Sequence, residues 1–284
     1  GQGLAIARRV TTAWRAVRVE RCAERDAVLG ELFAAGSQGV QEDGDALVTH
    51  FPPAFDTATA VTAVRDADSS AIVTVTDVPA VDWSEWRANV DAHRVGSLVV
   101  TPPWRAAEFD PATTIVIDPA MAFGTGEHPT TRGMLRLMQR SVRAGDSVAD
   151  LGAGSAVLSI AAAKLGATRV AAIEIDDGAE GSALENIRVN GADAAIRYLV
   201  GDATVLLALV APVRVILANI VSSVLMELLP SMAGSLTGDG VVLLSGILVE
   251  ERELMLRAIE RAQLRVDAED VEGDWLSLLA SRAS

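Results

Sequence analysis

In the second half of the chain, short apolar runs alternate with longer stretches in which apolar residues recur every three or four positions. These are the signatures of doubly covered strands and of amphipathic helices. Ser147–Leu151, Arg169–Ile175, Ile196–Val200, Val213–Ala218 and Gly240–Ser245 read as strands. Ser155–Leu165, the stretch from Asp177 to Asn190-Gly191, about Ser222–Ala233 and Val249–Gln263 read as helices. Asp177 suits an N-cap, and Asn190-Gly191 suits a C-terminal stop. Two strand-like runs close the chain, Arg265–Val271 and Trp275–Ser281, around Glu272-Gly273-Asp274. So short a turn requires antiparallel pairing. The pattern predicts an α/β fold, a doubly wound, mostly parallel sheet with an antiparallel edge hairpin.

Before residue 80 the pattern changes. Trp14–Glu20 alternates like a strand, and Asp26–Ala35 reads as a helix ended by Gly36. Ala46–His50 and Ala71–Thr76 are strand candidates on either side of the Pro52-Pro53 break. A small α+β module with one helical stretch is expected over residues 1–78. Residues 79–110, which hold Trp83, Trp86, Pro102, Pro103 and Trp104, read as a joining segment whose tryptophans pack between segments. The larger domain is expected over residues 111–284.

Composition narrows the chemistry. The chain has 284 residues, half of them hydrophobic, enough to build a core without staples. Its net charge of −14 argues against gripping nucleic acid through its own charge and favours a basic partner. Cys22 is the sole cysteine, so neither a disulfide framework nor a cysteine-based zinc site is available. His50, His93 and His128 lie far apart, and no metal is expected. Lys164 is the only lysine, which nearly excludes lysine-based covalent chemistry. The most apolar stretch, Val205–Leu229, is broken by Pro212, Arg214 and Asn219 and reads as core, not as a membrane span. Arg8 and Arg9 follow the first apolar run, the wrong order for a signal peptide. A soluble, cytoplasmic monomer with no membrane partner is the expectation.

The ligand crevice of such a fold lies at the loop after the first strand. Here that loop is Asp150-Leu151-Gly152-Ala153-Gly154-Ser155-Ala156-Val157. A dinucleotide fingerprint needs glycine where Val157 stands, which counts against a nicotinamide-dependent oxidoreductase. An acid before Gly-x-Gly and another ending the next strand suit S-adenosyl-L-methionine instead. Glu174 is placed for the ribose hydroxyls, and Asp202 for the adenine amino group. Each acid alone reads as a solvated loop carboxylate; three at consecutive strand ends make that the minority reading. The stretch Asp118–Thr131, rich in glycine, proline and threonine, is either a tight connection with Thr130 or Thr131 as N-cap or a loop closing over a ligand. Asn219, taken alone, reads as a helix N-cap.

Asp118–Thr131 closely resembles the D-P-x-x-A-F-G-T-G-x-H-P-T-T signature of the PrmA family, methyltransferases of large-subunit ribosomal protein eleven. Asp150–Ser155, Leu217–Ile220, Leu244–Leu248 and Gly273-Asp274-Trp275 match that family too. The resemblance spans essentially the whole chain and is strongest from about residue 95. It implies a class I AdoMet-dependent methyltransferase, Rossmann-like with a seven-stranded sheet, plus a small N-terminal substrate-recognition domain. The methyl acceptors it implies are lysine ε-amines or the N-terminal α-amine of that ribosomal protein, with another protein's lysines as the alternative. Donor contacts fall on Thr131, Gly152, Gly154, Glu174, Asp202, Asn219 and Asp150, with Phe123, Gly126 and His128 in a covering loop. Asn219 and Thr125 would be catalytic, Asn219 by aiming the amine lone pair. Two positions depart from the family: Ala156, where glycine is frequent, and Glu174, where aspartate is frequent.

Overall fold

A computed structural model describes residues 14–37, 40–52, 55–78, 90–118 and 127–283. The chain divides into two compact units, Gly1–Asn89 and Val90–Ser284.

The smaller unit runs β1 (Arg15–Glu20), α1 (Arg25–Ala34), β2 (Val40–Asp43), β3 (Ala46–Phe51), α2 (Thr57–Ala67) and β4 (Ile72–Asp77). The strands form an antiparallel sheet in the order β2-β3-β1-β4. Val17, Val19, Leu47 and Phe51 bury together with Val28 and Leu32 of α1 and Ala60 and Val64 of α2. Helix α2 corrects the expectation of a single helical stretch. Its threonines and valines favour strand locally. However, Thr57, Ala60 and Val64 recur at helical spacing and are buried, and the Asp56 carboxylate caps the helix by accepting from the Ala58 N–H at 3.1 Å. Burial of that stripe overrides the propensity. After α2, the Asp68 carboxylate accepts the N–H groups of Ala23 (2.6 Å), Glu24 (2.9 Å) and Ser70 (2.8 Å) and the Ser70 hydroxyl (2.5 Å). It thereby ties the turn before α1 to the end of α2.

In the larger unit, β5 (His93–Val95), β6 (Leu98–Thr101) and β7 (Thr114–Val116) form a three-stranded sheet. Val95, Leu98, Val100 and Ile115 enter the unit's main core. Of the expected joining segment, residues 79–89, with Trp83 and Trp86, lie outside the described residues. From residue 90 onward it carries strands and the 3-10 helix Pro103–Glu108. Short, fully buried strands such as Leu98–Thr101 offer no periodicity to read, which is why only the tryptophans and prolines of this segment stood out.

Helix α3 (Pro129–Ser141) precedes the main sheet. That sheet follows as β8 (Ser147–Leu151), α4 (Val157–Lys164), β9 (Arg169–Glu174), α5 (Glu180–Val189), β10 (Ile196–Val200), α6 (Ala203–Val210), β11 (Val213–Asn219), α7 (Ser222–Ser235), β12 (Leu236–Leu248), α8 (Arg252–Arg261), β13 (Leu264–Glu272) and β14 (Trp275–Arg282). The strand order is β10-β9-β8-β11-β12-β14-β13, with β14 alone running against the others. This is the expected seven-stranded architecture of class I methyltransferases, antiparallel hairpin included. Alternate strand residues serve opposite faces. Val148, Val215 and Leu217 pack with Met134, Met138 and Ile160, while Ala149, Ile216 and Ala218 pack with Leu225, Met232 and Ile259. Each fully buried valine, leucine, isoleucine or methionine among them contributes about 1.5–3 kcal/mol. Strand β12 extends well beyond the predicted Gly240–Ser245. Asp176, not Asp177, caps the 3-10 turn Asp177–Ala179 that leads into α5.

Strand order reverses between β9-β8 and β11-β12. The carboxyl ends of β8 and β11 therefore diverge in their connections and leave a crevice there.

Candidate functional site

The loop after β8 is fastened to the end of β9. The N–H groups of Gly152 and Ala153 donate to the Ile173 carbonyl at 2.9 and 3.0 Å. The Gly154 N–H donates to Glu174 Oε2 at 2.9 Å. Glu174 Oε1 accepts from the N–H groups of Ile175 (2.8 Å) and Asp176 (3.0 Å). Backbone donors thus fix the carboxylate, and Oε2 keeps acceptor capacity for a ligand hydroxyl. Ala156 lies in the left-handed region, with φ 65°. That conformation costs a non-glycine residue roughly 1–2 kcal/mol, which accounts for the frequency of glycine at this place in the resembled family. Burial of its methyl group offsets part of the cost.

Behind the loop, Asp150 is fully buried. Its Oδ2 accepts from the Ser159 hydroxyl at 2.7 Å, and its Oδ1 has no partner. Burial pushes its pKa up to about 6. The Ser159 hydrogen bonds pull it down, and the nearby Glu174 charge adds a smaller upward push.

Strand β11 delivers Asn219 and then Ile220. A Cβ on Gly152 would collide with Ile220 Cγ2, and one on Gly246 with the Ile220 carbonyl. Both glycines have positive φ, +73° and +84°. The turn is therefore wedged between the ends of β8 and β12, where only glycine admits it. Asn219 is half-buried, and among the described residues its side chain has no hydrogen-bond partner. The N-cap position of α7 belongs to Val221, so Asn219 is not a helix cap.

Asp202 Oδ1 caps α6, accepting the Thr204 N–H and hydroxyl at 2.8 Å each. These bonds, the backbone one first, hold its carboxyl below the usual range. Its Oδ2 has no such bond among the described residues.

These groups share a cleft of about 740 Å³, the size of a small-molecule site. Thr131, Gly152, Gly154, Glu174, Asp202 and Asn219 all line it. Ile175, 73% exposed, and Val221, 62% exposed, give it apolar walls. Asp150 stands behind the loop instead of lining the cleft. His128 departs further from direct contact: its Nδ1 lies 2.8 Å from the Thr130 hydroxyl, and its ring packs edge-on against Trp275 at 4.9 Å. His128, not Thr130 or Thr131, occupies the N-cap position of α3, because Pro129 takes the first helical position. Phe123, Thr125 and Gly126 lie outside the described residues.

The sequence reading missed the part played by Ile220 and by Asn186 of α5, and it took Asn190, the C-cap of that helix, only as a stop. Asn186 accepts the Asp118 N–H at 3.3 Å and donates to the Ser155 carbonyl at 3.1 Å. Asn190 exchanges bonds with the Val116 N–H (2.8 Å) and carbonyl (2.7 Å). They moor β7 and the chain that leaves it as far as Asp118. The available signal was two asparagines one turn apart on a helix. Among the described residues no cluster is placed to hold a metal ion, and no helix is long and apolar enough to cross a membrane.

A family model described as ribosomal protein L11 methyltransferase (PrmA) matches residues 17–283. The chain is similar to the ribosomal protein L11 methyltransferases of Bacillus cereus and Bacillus cytotoxicus. Each is 29% identical over 276 residues, covering 92% of this chain and 87% of the relative. Among solved structures, it is similar to the ribosomal protein L11 methylase of Lactobacillus delbrueckii subsp. bulgaricus. The TM-score is 0.61 at 30% identity, over 68% of this chain and 99% of that one.

Proposed function

The chain belongs to the ribosomal protein L11 methyltransferase family, and on that premise we propose that it transfers methyl groups from S-adenosyl-L-methionine to amino groups of ribosomal protein L11. The acceptors are lysine ε-amines, the N-terminal α-amine, or both. Membership of a methyltransferase family removes the oxidoreductase alternative. A substrate destined for ribosomes places the reaction in the cytoplasm.

The observation that carries the reading is the Asn219 amide, held at the cleft by a wedged turn and without a hydrogen-bond partner among the described residues. The bound donor supplies an electrophilic methyl on a sulfonium. The protein's task is then position and electrostatics. Glu174 accepts the ribose hydroxyls and Asp202 the adenine amino group, while Ile175 and Val221 flank the base. Thr131 and the backbone of Gly152 and Gly154 border the rest of the donor. Phe123, Thr125, Gly126 and His128 are assigned to the covering loop and its exit by resemblance, Thr125 with a catalytic role. Asp150, behind the glycine loop, would when ionised add negative charge beside a bound cationic donor.

An attacking lysine has an unperturbed pKa near 10.4 and must first lose its proton. Apolar walls and a neighbouring cation both favour the neutral amine. Asn219 accepts one amine hydrogen and aims the lone pair at the methyl carbon. The unit Gly1–Asn89 holds the protein substrate, and the net charge of −14 speeds capture of a basic one.

Calorimetric titration with S-adenosyl-L-methionine and with NAD tests the donor, and labelled-methyl transfer to purified ribosomal protein L11 tests the acceptor. Saturable binding of the first ligand alone, with label in the protein, is expected. NAD binding, or an unlabelled ribosomal protein, would overturn the reading.

A further inference from the structure

The Gly273-Asp274-Trp275 motif plays no part in the chemistry above, and none of its residues lines the cleft. It turns the hairpin β13–β14 at the edge of the sheet. That hairpin grips one helix, α3. Arg132 Nε donates to Glu272 Oε1 at 2.8 Å, its Nη2 reaches the same oxygen, and its Nη1 reaches the Glu127 carbonyl. Arg136, one turn on, holds Asp270 bidentately at 2.7 and 2.5 Å and Glu272 Oε2 at 2.7 Å. The His128 ring rests on Trp275. Gly133 lies so close to Ser277 that a Cβ there would strike its hydroxyl, and that hydroxyl bonds Ser245 of β12 at 2.7 Å.

Helix α3 does not need this network to stay docked. Met134, Leu135, Leu137 and Met138 already bury its apolar face. Ion pairs at this depth add little net stability, since the side chains are 20% to 35% exposed. What bidentate arginine pairs add is geometry: they fix rotation and position along the helix axis. The residue whose placement depends on both is Thr131, beside Arg132 in the first turn, buried and lining the cleft.

We propose that the C-terminal hairpin, acting through Asp270, Glu272 and Trp275 on Arg136, Arg132 and His128, is a positioning device that sets Thr131 against the glycine loop. These are positioning residues, and none of them lines the cleft. The inference rests on reading the cleft as the donor site. Donor affinity is then set partly by residues encoded about 140 positions after the helix they hold.

The test uses the full chain with Glu272→Gln, Arg136→Lys and Trp275→Phe. Arg136→Lys keeps the charge but loses the bidentate fork. Donor KM and calorimetric Kd should rise about tenfold, with kcat at saturating donor and the KM for ribosomal protein L11 within about twofold of wild type. Asp270→Arg combined with Arg136→Glu should recover at least half of the loss shown by either single change. Variants that melt earlier but keep donor KM unchanged would make the network merely structural and overturn the proposal. So would an equal fall in kcat and kcat/KM. A wild-type chain that binds no S-adenosyl-L-methionine would instead overturn the donor reading itself.

Discussion

Each unit buries an aspartate, and the two are treated in opposite ways. Asp68 in the smaller unit receives hydrogen bonds from three backbone N–H groups and a hydroxyl, and these, the Ser70 hydroxyl first, hold its carboxyl far below the usual range. Asp150 in the larger unit has one donor, one orphaned oxygen and a pKa raised to about 6 by burial. Where a carboxylate serves the fold, its lone pairs are filled. Where it stands behind the cleft, one is left open at a cost to stability; the half-buried amide of Asn219 is also without a partner among the described residues. Of the two, only Asn219 lines the cleft, where a ligand can complete its hydrogen bonding.

The most damaging way to probe that contrast is Asn219→Ala, which removes an open group without touching a structural bond. It should lower kcat by about 10²–10³-fold, the scale of a lost transition-state contact, with an unchanged melting temperature. A melting temperature that falls with activity would move Asn219 to the structural side. Glu174→Ala comes next. It removes the proposed ribose acceptor and the anchor of Gly154, and each lost charged hydrogen bond is worth roughly 1.5–3 kcal/mol. Donor Kd should rise by about 10–100-fold in calorimetry.

Asp150→Asn should have a smaller effect and an unusual sign. Because its folded pKa lies above its unfolded one, Asp150 stabilises the fold most below about pH 4, and that contribution fades as pH rises through about 6. A displacement from 3.8 to about 6 bounds the effect at roughly 3 kcal/mol. The variant should therefore be more stable than wild type at pH 8 in urea titration, yet bind donor more weakly. In the wild type, a cationic donor favours the ionised carboxylate, so donor affinity should increase as pH rises from about 5 to 7. Asp150→Asn should flatten that rise.

Asp68 has the opposite sign. Its depressed pKa supplies stability above about pH 4 that is lost as pH falls further. Acid should open the smaller unit first, seen as early hydrogen exchange in β1–β4, while Asp150 protonation steadies the larger unit. Simultaneous exchange in both would erase the contrast.

The larger unit was the legible one because its strands are continuous apolar runs at regular spacing, and its chemistry sits at strand ends that such a pattern locates. Gly152, Glu174, Asp202 and Asn219 could be placed that way. The smaller unit hid α2, whose threonines and valines signal strand until tertiary burial of Thr57, Ala60 and Val64 is known. At the cleft, what stayed hidden was produced by contact between distant segments. Ile220 matters only because Gly152 and Gly246 close on it, and His128 turns to Trp275 across 147 residues of chain. No local pattern encodes such meetings.

The central claim is that this cleft transfers methyl groups to the amines of a ribosomal protein. Mass spectrometry of purified ribosomal protein L11, incubated with S-adenosyl-L-methionine and either wild-type chain or Asn219→Ala, tests it most directly. The prediction is a ladder of single-methyl increments on lysine or N-terminal peptides with the wild type, and almost none with the variant over the same time. An unmodified ribosomal protein in both reactions, or equal modification in both, would contradict it.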